Sequence, residues 1–322
     1  MKVQTLFGPV HDDIALVDAQ FDLIKQVDLA PLAKMLDHVL AGGGKRIRPG
    51  LALLGGTFGD YDLDKLIPLA ASIELLHTAS LVHDDVIDAA ATRRGRATAN
   101  HLYDNAVSVM IGDFLFAHAA DLVARVGSVR VVRLFARTLM QIVTGELDQD
   151  VGAFDASKRI GDYLNRIGGK TASLFGAACE GGAMATGAPE PYVEALRDYG
   201  YNLGVAFQIV DDILDFVGDE AVMGKPSGSD LMQGTLTLPS LLAMEEGGDK
   251  RAVTRLFSAR RNKAQLLQEA LDVIRGGDAI ARSQVFAEEY GQRAIQAIAT
   301  LPDTAGHRTL VELTQYVLTR DS

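Results

Sequence analysis

Residues 66–88 read LIPLAASIELLHTASLVHDDVID, an apolar run that ends in the acidic cluster D-D-V-I-D at 84–88. Apolar residues recur in this run at three- and four-residue spacing, which predicts a helix. Residues 208–215 read QIVDDILD and repeat the D-D-x-x-D pattern at 211–215, again at the end of an apolar run. On an ideal helix the three carboxylates of each cluster fall within about one third of the circumference.

Carboxylates packed this closely repel one another unless a cation lies between them. Mg²⁺ shared with a phosphate-bearing substrate fits best, because it is a hard ion that takes oxygen ligands. Two such clusters predict one diphosphate held from opposite sides through metal ions. The expected metal-binding residues are Asp84, Asp85, Asp88, Asp211, Asp212 and Asp215.

Helical periodicity dominates the rest of the chain, and no convincing strand with alternating polarity is present. The predicted helices include 31–40, 66–86, 107–126, 129–147, 160–184, 191–216 and 263–274. Interruptions are short and rich in glycine, and no Pro/Ser-rich linker divides the chain. We therefore expect one all-α domain over residues 1–322, with roughly ten or more helices. The small residues at 176–188 should allow two helices to pack closely.

Composition excludes several classes of protein. A net charge of −11 argues against sequence-independent binding to nucleic acid. Cys179 is the single cysteine, which excludes an intrachain disulfide and favours a reducing compartment. Neither a signal peptide nor about 18 uninterrupted apolar residues is found, so we expect a soluble cytoplasmic protein without a transmembrane segment.

Basic motifs accompany the acidic clusters. Residues 42–49 read GGGKRIRP, where glycines allow close approach to an anion and Lys and Arg supply charge-assisted hydrogen bonds. Residues 92–96, TRRGR, follow the first cluster, and residues 224–226, GKP, follow the second. His77 lies two turns before the first cluster on its carboxylate face, where it is placed to donate to a second phosphate.

This ordered set of motifs resembles the trans-isoprenyl diphosphate synthases, also called polyprenyl synthetases. The resemblance covers nearly the whole chain, from the GGKRIR motif through LVHDDVID, RRG, GDFL, GEL, GKTA and FQIVDD to GKP and GSDL. It implies a single large helical bundle of the isoprenoid synthase type around a central cavity lined by Mg²⁺.

The resemblance also implies roles for single residues. Asp84, Asp88 and Asp211 would coordinate two or three Mg²⁺ ions, with Mn²⁺ as an alternative ion, and the other three aspartates would be further or supporting ligands. Arg93, Lys170 and Lys225 would contact the allylic diphosphate. The diphosphate of isopentenyl diphosphate would be bound by Lys45, Arg48, His77 and Arg94. Thr171 and Gln208 would lie near the developing carbocation.

One position departs from the family pattern. Many members have a lysine where Thr235 stands in the sequence GTLTLP at 234–239. One contact to the allylic diphosphate is therefore in doubt, although Lys225 is retained.

The implied reaction condenses isopentenyl diphosphate head to tail with an allylic diphosphate such as farnesyl or geranylgeranyl diphosphate. Bound metal and basic residues stabilise the leaving diphosphate, the isopentenyl double bond attacks the cation, and a proton is then lost. The resemblance further implies a homodimer, and it allows transient contact with a membrane during release of the product.

Product length depends on where the growing tail is blocked. In the family, the residues four and five positions before the first cluster are decisive, and here they are the small Ser80 and Ala79. Small residues favour a product of C30 or longer. Leu76, Met110 or Phe114 are alternative floors of the pocket, because an ideal helix places Ala79 almost opposite the carboxylates.

Four alternative functions account for parts of the same pattern. A C20 or C25 product fits the same motifs. A terpene cyclase would carry one D-D-x-x-D, but the second cluster at 211–215 counts against it. A non-catalytic subunit of a heteromeric synthase would have degraded clusters, and both clusters are intact. An acidic helical scaffold would not explain why acidic and then basic residues occur twice in the same order.

Overall fold

The computed structural model describes residues 6–41, 44–93, 95–218, 226–245 and 250–320. Within these ranges almost all regular structure is helical, which confirms the predicted all-α class. The helices are α1 (Asp13–Ile24), α2 (Ala30–Leu40), α3 (Ile47–Gly56), α4 (Leu63–Ile87), α5 (Ala99–Leu102), α6 (Asn105–Arg125), α7 (Val129–Val151), α8 (Ile160–Ile167), α9 (Ser173–Ala185), α10 (Glu190–Val217), α11 (Ser229–Met232), α12 (Leu238–Glu245), α13 (Lys250–Ser258), α14 (Lys263–Gly276), α15 (Ala279–Ala297) and α16 (Ala305–Thr319).

A small hairpin follows α4. Strand β1 (Thr92–Arg93) pairs antiparallel with β2 (Arg96–Ala97), and Thr92 lies opposite Ala97. Gly95 has a φ of +73° in the turn, which glycine adopts without strain. The sequence did not predict this hairpin, because two-residue strands are too short for an alternating pattern to show.

The chain forms two compact units. The first contains Met1–Leu139, Leu174–Gly200 and Ala297–Leu313. The second contains Met140–Ser173, Tyr201–Gln296 and Thr314–Ser322. The single domain expected over residues 1–322 stays a prediction.

Helix α4 is the central element of the first unit. It packs against α6, α3 and α1, and its Leu66, Leu75 and Leu76 are fully buried. Asp62 caps its first turn by accepting a hydrogen bond from the Asp64 N–H at 3.0 Å. Such burial of long aliphatic side chains stabilises a helix by about 1.5–3 kcal/mol each. The helix is thereby fixed at the end opposite to the acidic cluster.

Helices α3 and α9 approach each other at their glycines. A Cβ atom on Gly182 would overlap with the carbonyl oxygen of Ala52, and one on Gly55 would overlap with the carbonyl oxygen of Cys179. The close packing predicted for the small residues at 176–188 is confirmed. Cys179 is completely buried there, and burial raises the pKa of its thiol.

In the second unit, α8 continues directly into a π-helical turn. This turn spans Gly168–Ala172, within the single helix predicted over residues 160–184. π-Turns inside α-helices carry one extra residue per turn and change the direction in which side chains point. Around it lies an apolar core that includes Ile167, Ile209 and Phe216.

By length and composition alone, α4 and α6 are apolar enough to cross a membrane. The most apolar window of α4 is 67% buried inside the protein, and that of α6 is 39% buried. Core helices of soluble proteins pass the same test, and the burial of α4 is that of a core helix.

Candidate active site

The first acidic cluster ends helix α4. Asp85 is 7% exposed, Asp84 is half-buried, and Asp88 is exposed and forms the C-cap. Helix C-termini carry a partial negative charge, which disfavours carboxylates there by about 0.3–1 kcal/mol each. The cluster therefore combines mutual repulsion with an unfavourable helix end, and a bound cation would relieve both.

Arg93 fixes the orientation of Asp85. Its Nε donates to Asp85 Oδ1 at 2.7 Å from strand β1. Burial raises the pKa of Asp85, while the charge of Arg93 and its hydrogen bond oppose that rise. Asn100 Nδ2 donates to the carbonyl oxygen of Asp85 at 3.1 Å. Asp85 is thus oriented by Arg93 and Asn100, while Asp84 and Asp88 face more solvent. Arg94 lies outside the described residues.

The two arginines of the basic motif at the start of α3 have different partners. Arg46 has a φ of +50°, and it donates to Asp18 at 2.9 Å and to the buried Glu74 at 3.0 Å. Its guanidinium is therefore committed to holding the turn. Arg48 lies over the Phe175 ring at 4.7 Å. The roles of Lys45 and Arg48 as phosphate contacts stay predictions.

Those two cations share the first unit with His77, Arg93 and the first cluster. His77 is half-buried on α4, and its carbonyl oxygen accepts a hydrogen bond from the Ser80 hydroxyl at 2.8 Å. The roles predicted for this group stay predictions.

The second cluster lies near the C-terminal end of α10, in the second unit, and its carboxylates are largely occupied. Asp215 is 2% exposed and accepts from the Ser229 hydroxyl at 2.9 Å, at the start of α11. Asp212 is 3% exposed, whereas the Asp211 side chain is 37% exposed. Asp211 is therefore the member that is most accessible to an ion.

Arg320 pairs with Asp211, a contact that no motif or spacing in the sequence predicts. Its Nη2 lies 2.5 Å from Asp211 Oδ1 and donates to the carbonyl oxygen of Phe207 at 2.8 Å. The guanidinium stacks on the Phe207 ring at 3.7 Å and is 4% exposed. A buried cation thus occupies the carboxylate that the family pattern assigns to metal.

Four polar side chains in the second unit form a hydrogen-bonded row. Thr171 Oγ1 donates to Gln208 Oε1 at 2.8 Å, and Gln208 Nε2 donates to Asp212 Oδ1 at 2.8 Å. The Tyr163 hydroxyl donates to Asp212 Oδ2 at 2.7 Å. Burial, with the negative charge of Asp230, raises the pKa of Asp212 to about 7. Burial, followed by the charge of Asp212, raises the pKa of Tyr163.

Lys170 extends from the π-turn towards α7. Its Nζ lies 2.5 Å from Glu146 Oε2 and donates to Gln149 Oε1 at 3.3 Å. A Cβ atom on Gly145 would come within 2.7 Å of the Lys170 backbone nitrogen, so glycine allows this approach. Glu146 of the sequence motif GEL at 145–147 is thus the partner of Lys170, a contact that the sequence did not predict. Lys225 lies outside the described residues.

Position 235 has a structural role for its backbone. The Thr235 N–H donates to the carbonyl oxygen of Asp230 at 2.9 Å in the loop after α11. This bond does not depend on the side chain, so a threonine is accommodated there as a lysine would be.

The donor set suits a hard divalent ion. Carboxylate oxygens dominate both clusters, and Mg²⁺ in phosphate-transferring sites uses one or two carboxylates with substrate oxygens and water. Among the described residues, no three His, Cys, Asp or Glu side chains already converge as a complete metal site. Such sites are completed by the diphosphate itself, so an incomplete protein ligand set fits this chemistry.

An apolar pocket lies in the first unit beside α4. Its lining comes from α4, α7 and α9 and comprises Leu69, Ile73, Leu76, Val131, Leu134, Phe135, Thr138, Leu174 and Ala177. Leu76 precedes Asp84 by two helical turns, so the pocket begins below the carboxylate face. Ala79 is fully buried, and Met110 is 61% exposed. The decisive role of Ala79 and Ser80 for product length stays a prediction.

Helix α7 has an apolar stripe on its outer side. Its last four members recur at three- and four-residue spacing, and Val132 lies eight residues before the first of them; the members are Val132, Met140, Val143, Leu147 and Val151. Their exposed fractions run from 38% to 85%. A stripe of this kind indicates a surface that another helix covers.

Comparisons with known proteins agree along the whole chain. A family profile described as polyprenyl synthetase matches residues 30–274. The chain is 38% identical over 321 residues to heptaprenyl diphosphate synthase component 2 of Geobacillus stearothermophilus, with 100% of both chains covered. It is 36% identical over 322 residues to octaprenyl diphosphate synthase of Escherichia coli strain K12, again covering 100% of both.

A solved structure shows the same fold. It is that of a polyprenyl synthase from Caulobacter crescentus CB15 complexed with calcium and isoprenyl diphosphate. The TM-score is 0.94 at 35% identity, and the match covers 100% of this chain and 98% of the other. That protein binds a divalent ion and an isoprenyl diphosphate.

Proposed function

The chain belongs to the polyprenyl synthetase family, and from that membership we propose how its residues carry out the family's reaction. It is a trans-prenyltransferase that condenses isopentenyl diphosphate with an allylic diphosphate. The observation that carries the proposal is the position of two D-D-x-x-D clusters at the C-terminal parts of α4 and α10. Each has at least one accessible carboxylate, Asp84 and Asp88 in the first and Asp211 in the second.

Asp84, Asp88 and Asp211 hold Mg²⁺ on the allylic diphosphate in this proposal. When bound, the metal withdraws negative charge from the leaving diphosphate, which lowers the barrier to ionisation. Two or three ions per site are expected, and Mn²⁺ is an alternative. Asp85 supports this set through Arg93, which is placed to turn from Asp85 towards a phosphate.

Cations of the protein complete the hold on the substrates. Lys170 and Arg93, with Lys225, are proposed to contact the allylic diphosphate. Lys45, Arg48 and His77, with Arg94, are proposed to bind isopentenyl diphosphate. Two separate groups of cations are needed because the two diphosphates do different things. One leaves as an anion during the reaction, and the other stays attached to the product.

The reaction then proceeds by cleavage, addition and proton loss. The allylic C–O bond breaks, and its electron pair leaves with the diphosphate. The isopentenyl double bond forms the new C–C bond to the cation, and the released diphosphate takes the proton that restores a double bond. Thr171 and Gln208 lie near the cation and stabilise it through their oxygen dipoles. Exclusion of water prevents quenching of the cation.

The product is proposed to be C30 or longer. The apolar pocket that Leu76 lines offers a growing tail an apolar surface along α4, and Ala79 and Ser80 are small. Each added isoprene unit buries about five carbons, worth on the order of 4 kcal/mol. A growing chain therefore fills available apolar space before it is released. Two relatives with names that state a product are heptaprenyl and octaprenyl diphosphate synthases.

The stripe on α7 is proposed to pair two copies of this chain into a homodimer. Five exposed apolar side chains on one helix would otherwise face water. The Geobacillus relative is named component 2, so a second, different subunit is the alternative partner for this stripe. Light scattering of the purified chain alone distinguishes them, since a dimer supports self-association and a monomer supports a missing partner. A cytoplasmic location is also part of the proposal.

The function is tested by incubating the purified chain with Mg²⁺, farnesyl diphosphate and labelled isopentenyl diphosphate. Incorporation of label into a prenyl diphosphate is expected, with loss of incorporation on chelation of the metal. No incorporation with any allylic starter from C10 to C20 would contradict the proposal.

Product length is tested separately by sizing the products. Ala79→Tyr and Leu76→Trp should each shorten the product by at least one isoprene unit, because both narrow the space beside α4. Leu23→Trp, at an exposed position of α1, serves as the control. Unchanged lengths in both variants would place the floor elsewhere, and a wild-type product of C20 or C25 would overturn the assignment to C30 or longer.

A further inference from the structure

Tyr163 lies outside every motif that the family pattern supplies, yet it contacts one of the cluster aspartates. Its ring is 2% exposed in the apolar core of the second unit, and its hydroxyl donates to Asp212 Oδ2 at 2.7 Å. The guanidinium of Arg166 lies over the ring at 5.5 Å and donates to the carbonyl oxygen of Leu236 at 2.8 Å. The phenol is therefore fixed on several sides.

The row that starts at Tyr163 has one direction of donation. Asp212 accepts on both of its oxygens, from the Tyr163 hydroxyl on one and from the Gln208 amide on the other. With its Nε2 turned to Asp212, Gln208 must turn its Oε1 to Thr171. The Thr171 hydroxyl donates to that oxygen at 2.8 Å. Its proton is thereby committed, and its lone pairs face away from Gln208.

Burial makes this orientation costly to change. Asp212 is 3% exposed and Thr171 is 8% exposed, so water cannot easily replace their partners. Reversal of the Gln208 amide would place two donors against Thr171 and an acceptor against a carboxylate. Both oxygens of Asp212 already have protein donors, in contrast to the more exposed Asp211.

We propose that Tyr163 and Asp212 are positioning residues that orient Gln208 and Thr171, so that their oxygen atoms, not their hydrogens, meet the allylic cation. This inference rests on the proposed function, because the cation exists only in that reaction. Fixed dipoles stabilise a developing charge without reorganisation during the reaction. Asp212 thereby contributes to the transition state through Gln208, and it does not coordinate the metal.

Tyr163→Phe tests the first half of the proposal, since it removes one hydroxyl and keeps the ring. The expected result is a fall in kcat of about 10-fold or more, because small misalignments at a reacting centre are expensive. KM for both substrates should stay within about twofold, and so should the magnesium-dependent affinity for an unreactive thiol analogue of the allylic diphosphate. Tyr61→Phe is the matched control, because it removes a similar bond to Asp13, at 2.6 Å, on an exposed surface of the first unit.

Asp212→Asn tests the second half, because an amide presents a donor where Gln208 or Tyr163 needs an acceptor. We expect a fall in kcat of about 100-fold with the magnesium-dependent affinity for the analogue retained. Asp211→Asn should instead weaken that affinity. Thermal unfolding of each variant is measured alongside to show that it is folded at the assay temperature, and a kcat loss in a folded variant with unchanged affinity supports the proposal.

Two results would overturn it. One is an unchanged kcat in Tyr163→Phe. The other is a loss of magnesium-dependent affinity in Asp212→Asn as large as that in Asp211→Asn, which would make Asp212 a metal ligand. Failure of the proposed function is a different observation, since the wild-type protein would then incorporate no isopentenyl diphosphate at all.

Discussion

The two acidic clusters have the same spacing and lie towards the ends of helices of similar character, but their surroundings differ. At the end of α4, Asp84 is half-buried, Asp88 is exposed, and Asp85 is paired with Arg93. Near the end of α10, Asp212 and Asp215 are buried as hydrogen-bond acceptors, and only Asp211 is substantially exposed. One cluster is open to an ion on two carboxylates, and the other on a single carboxylate.

This difference shows what a motif can and cannot specify. The D-D-x-x-D spacing places three carboxylates on one side of a helix in both cases. Whether a carboxylate binds metal or orients a neighbour depends on the elements packed against it. The same pattern therefore serves two purposes in one chain, and equivalent positions of the clusters need not have equivalent roles.

The largest expected effect comes from removing an accessible carboxylate in either cluster. Asp84→Asn and Asp211→Asn should each lower kcat by about 100- to 1000-fold, because each removes negative charge that holds the metal on the leaving group. Raising Mg²⁺ should recover part of the activity. Steady-state kinetics across a magnesium series measure this.

Asp121→Asn is the control for that series, because Asp121 is exposed on α6, where it pairs with Arg125. Its kcat should stay within about twofold of the wild type. A fall in kcat in Asp84→Asn but not in Asp211→Asn would mean that the second cluster binds no metal. That result would contradict the assignment of one metal-binding carboxylate to the second cluster.

The next effect is the dependence of stability on pH at Asp212. Its pKa is raised by burial from 3.8 to about 7 in the folded protein. Between these values the folded state keeps a proton that the unfolded chain has lost, so the free energy of unfolding falls as pH rises through this window. Asp212→Asn cannot ionise. Its stability relative to the wild type should therefore increase by more than about 1 kcal/mol from pH 5 to pH 8.

Asp85→Asn sharpens this comparison between clusters. Burial also raises the pKa of Asp85, but Arg93 opposes the rise, so the corresponding change with pH should be smaller. Denaturant unfolding of metal-free protein at both pH values measures both variants. Equal changes would show that the two clusters are electrostatically alike.

A smaller effect is expected from the cation on the second cluster. Arg320 competes with a metal ion for Asp211, because both bind the same carboxylate. Arg320→Met keeps an apolar contact with Phe207 and removes the charge, so the magnesium concentration for half-maximal binding of an unreactive diphosphate should fall by about 3- to 10-fold. Arg293→Met, which removes an exposed guanidinium stacked on Tyr290 at 4.5 Å, is the control. A higher magnesium requirement in Arg320→Met would show that the cation assists binding.

The smallest effect concerns the cation of the first cluster. Arg93→Gln should lower the free energy of unfolding by about 1 kcal/mol, because Asp85 would lose its charged partner at 2.7 Å. The loss should be larger above the folded-state pKa of Asp85, which burial raises, than below it, where the carboxyl is neutral. Equal losses on both sides of that pKa would indicate that the charge of Arg93 is not what stabilises Asp85.

Local features of this chain were predictable from its sequence. The long helices and the position of both clusters follow from spacing within about ten residues, and periodicity reports that range well. The helix predicted over residues 160–184 is present, although a π-turn at Gly168–Ala172 interrupts it. The close approach of α3 and α9 followed from the small residues of α9.

The partners of the cluster residues were not predictable. Arg320 is 109 positions from Asp211, and Tyr163 is 49 positions from Asp212. Neither belongs to a motif, and a lone Arg or Tyr in a helical sequence gives no sign of what it will contact. Such contacts are set by how helices pack, which a single sequence does not specify. The missed residues are therefore those that make the two clusters different.

The most direct test of this difference is a crystal structure of the protein with Mg²⁺ and an unreactive thiol analogue of an allylic diphosphate. The account predicts oxygens of Asp84, Asp88 and Asp211 at about 2.1 Å from Mg²⁺. Asp212 should keep its hydrogen bonds to Gln208 and Tyr163, and Arg320 should have left Asp211. Direct coordination of Mg²⁺ by Asp212, or the absence of metal from either cluster, would contradict it.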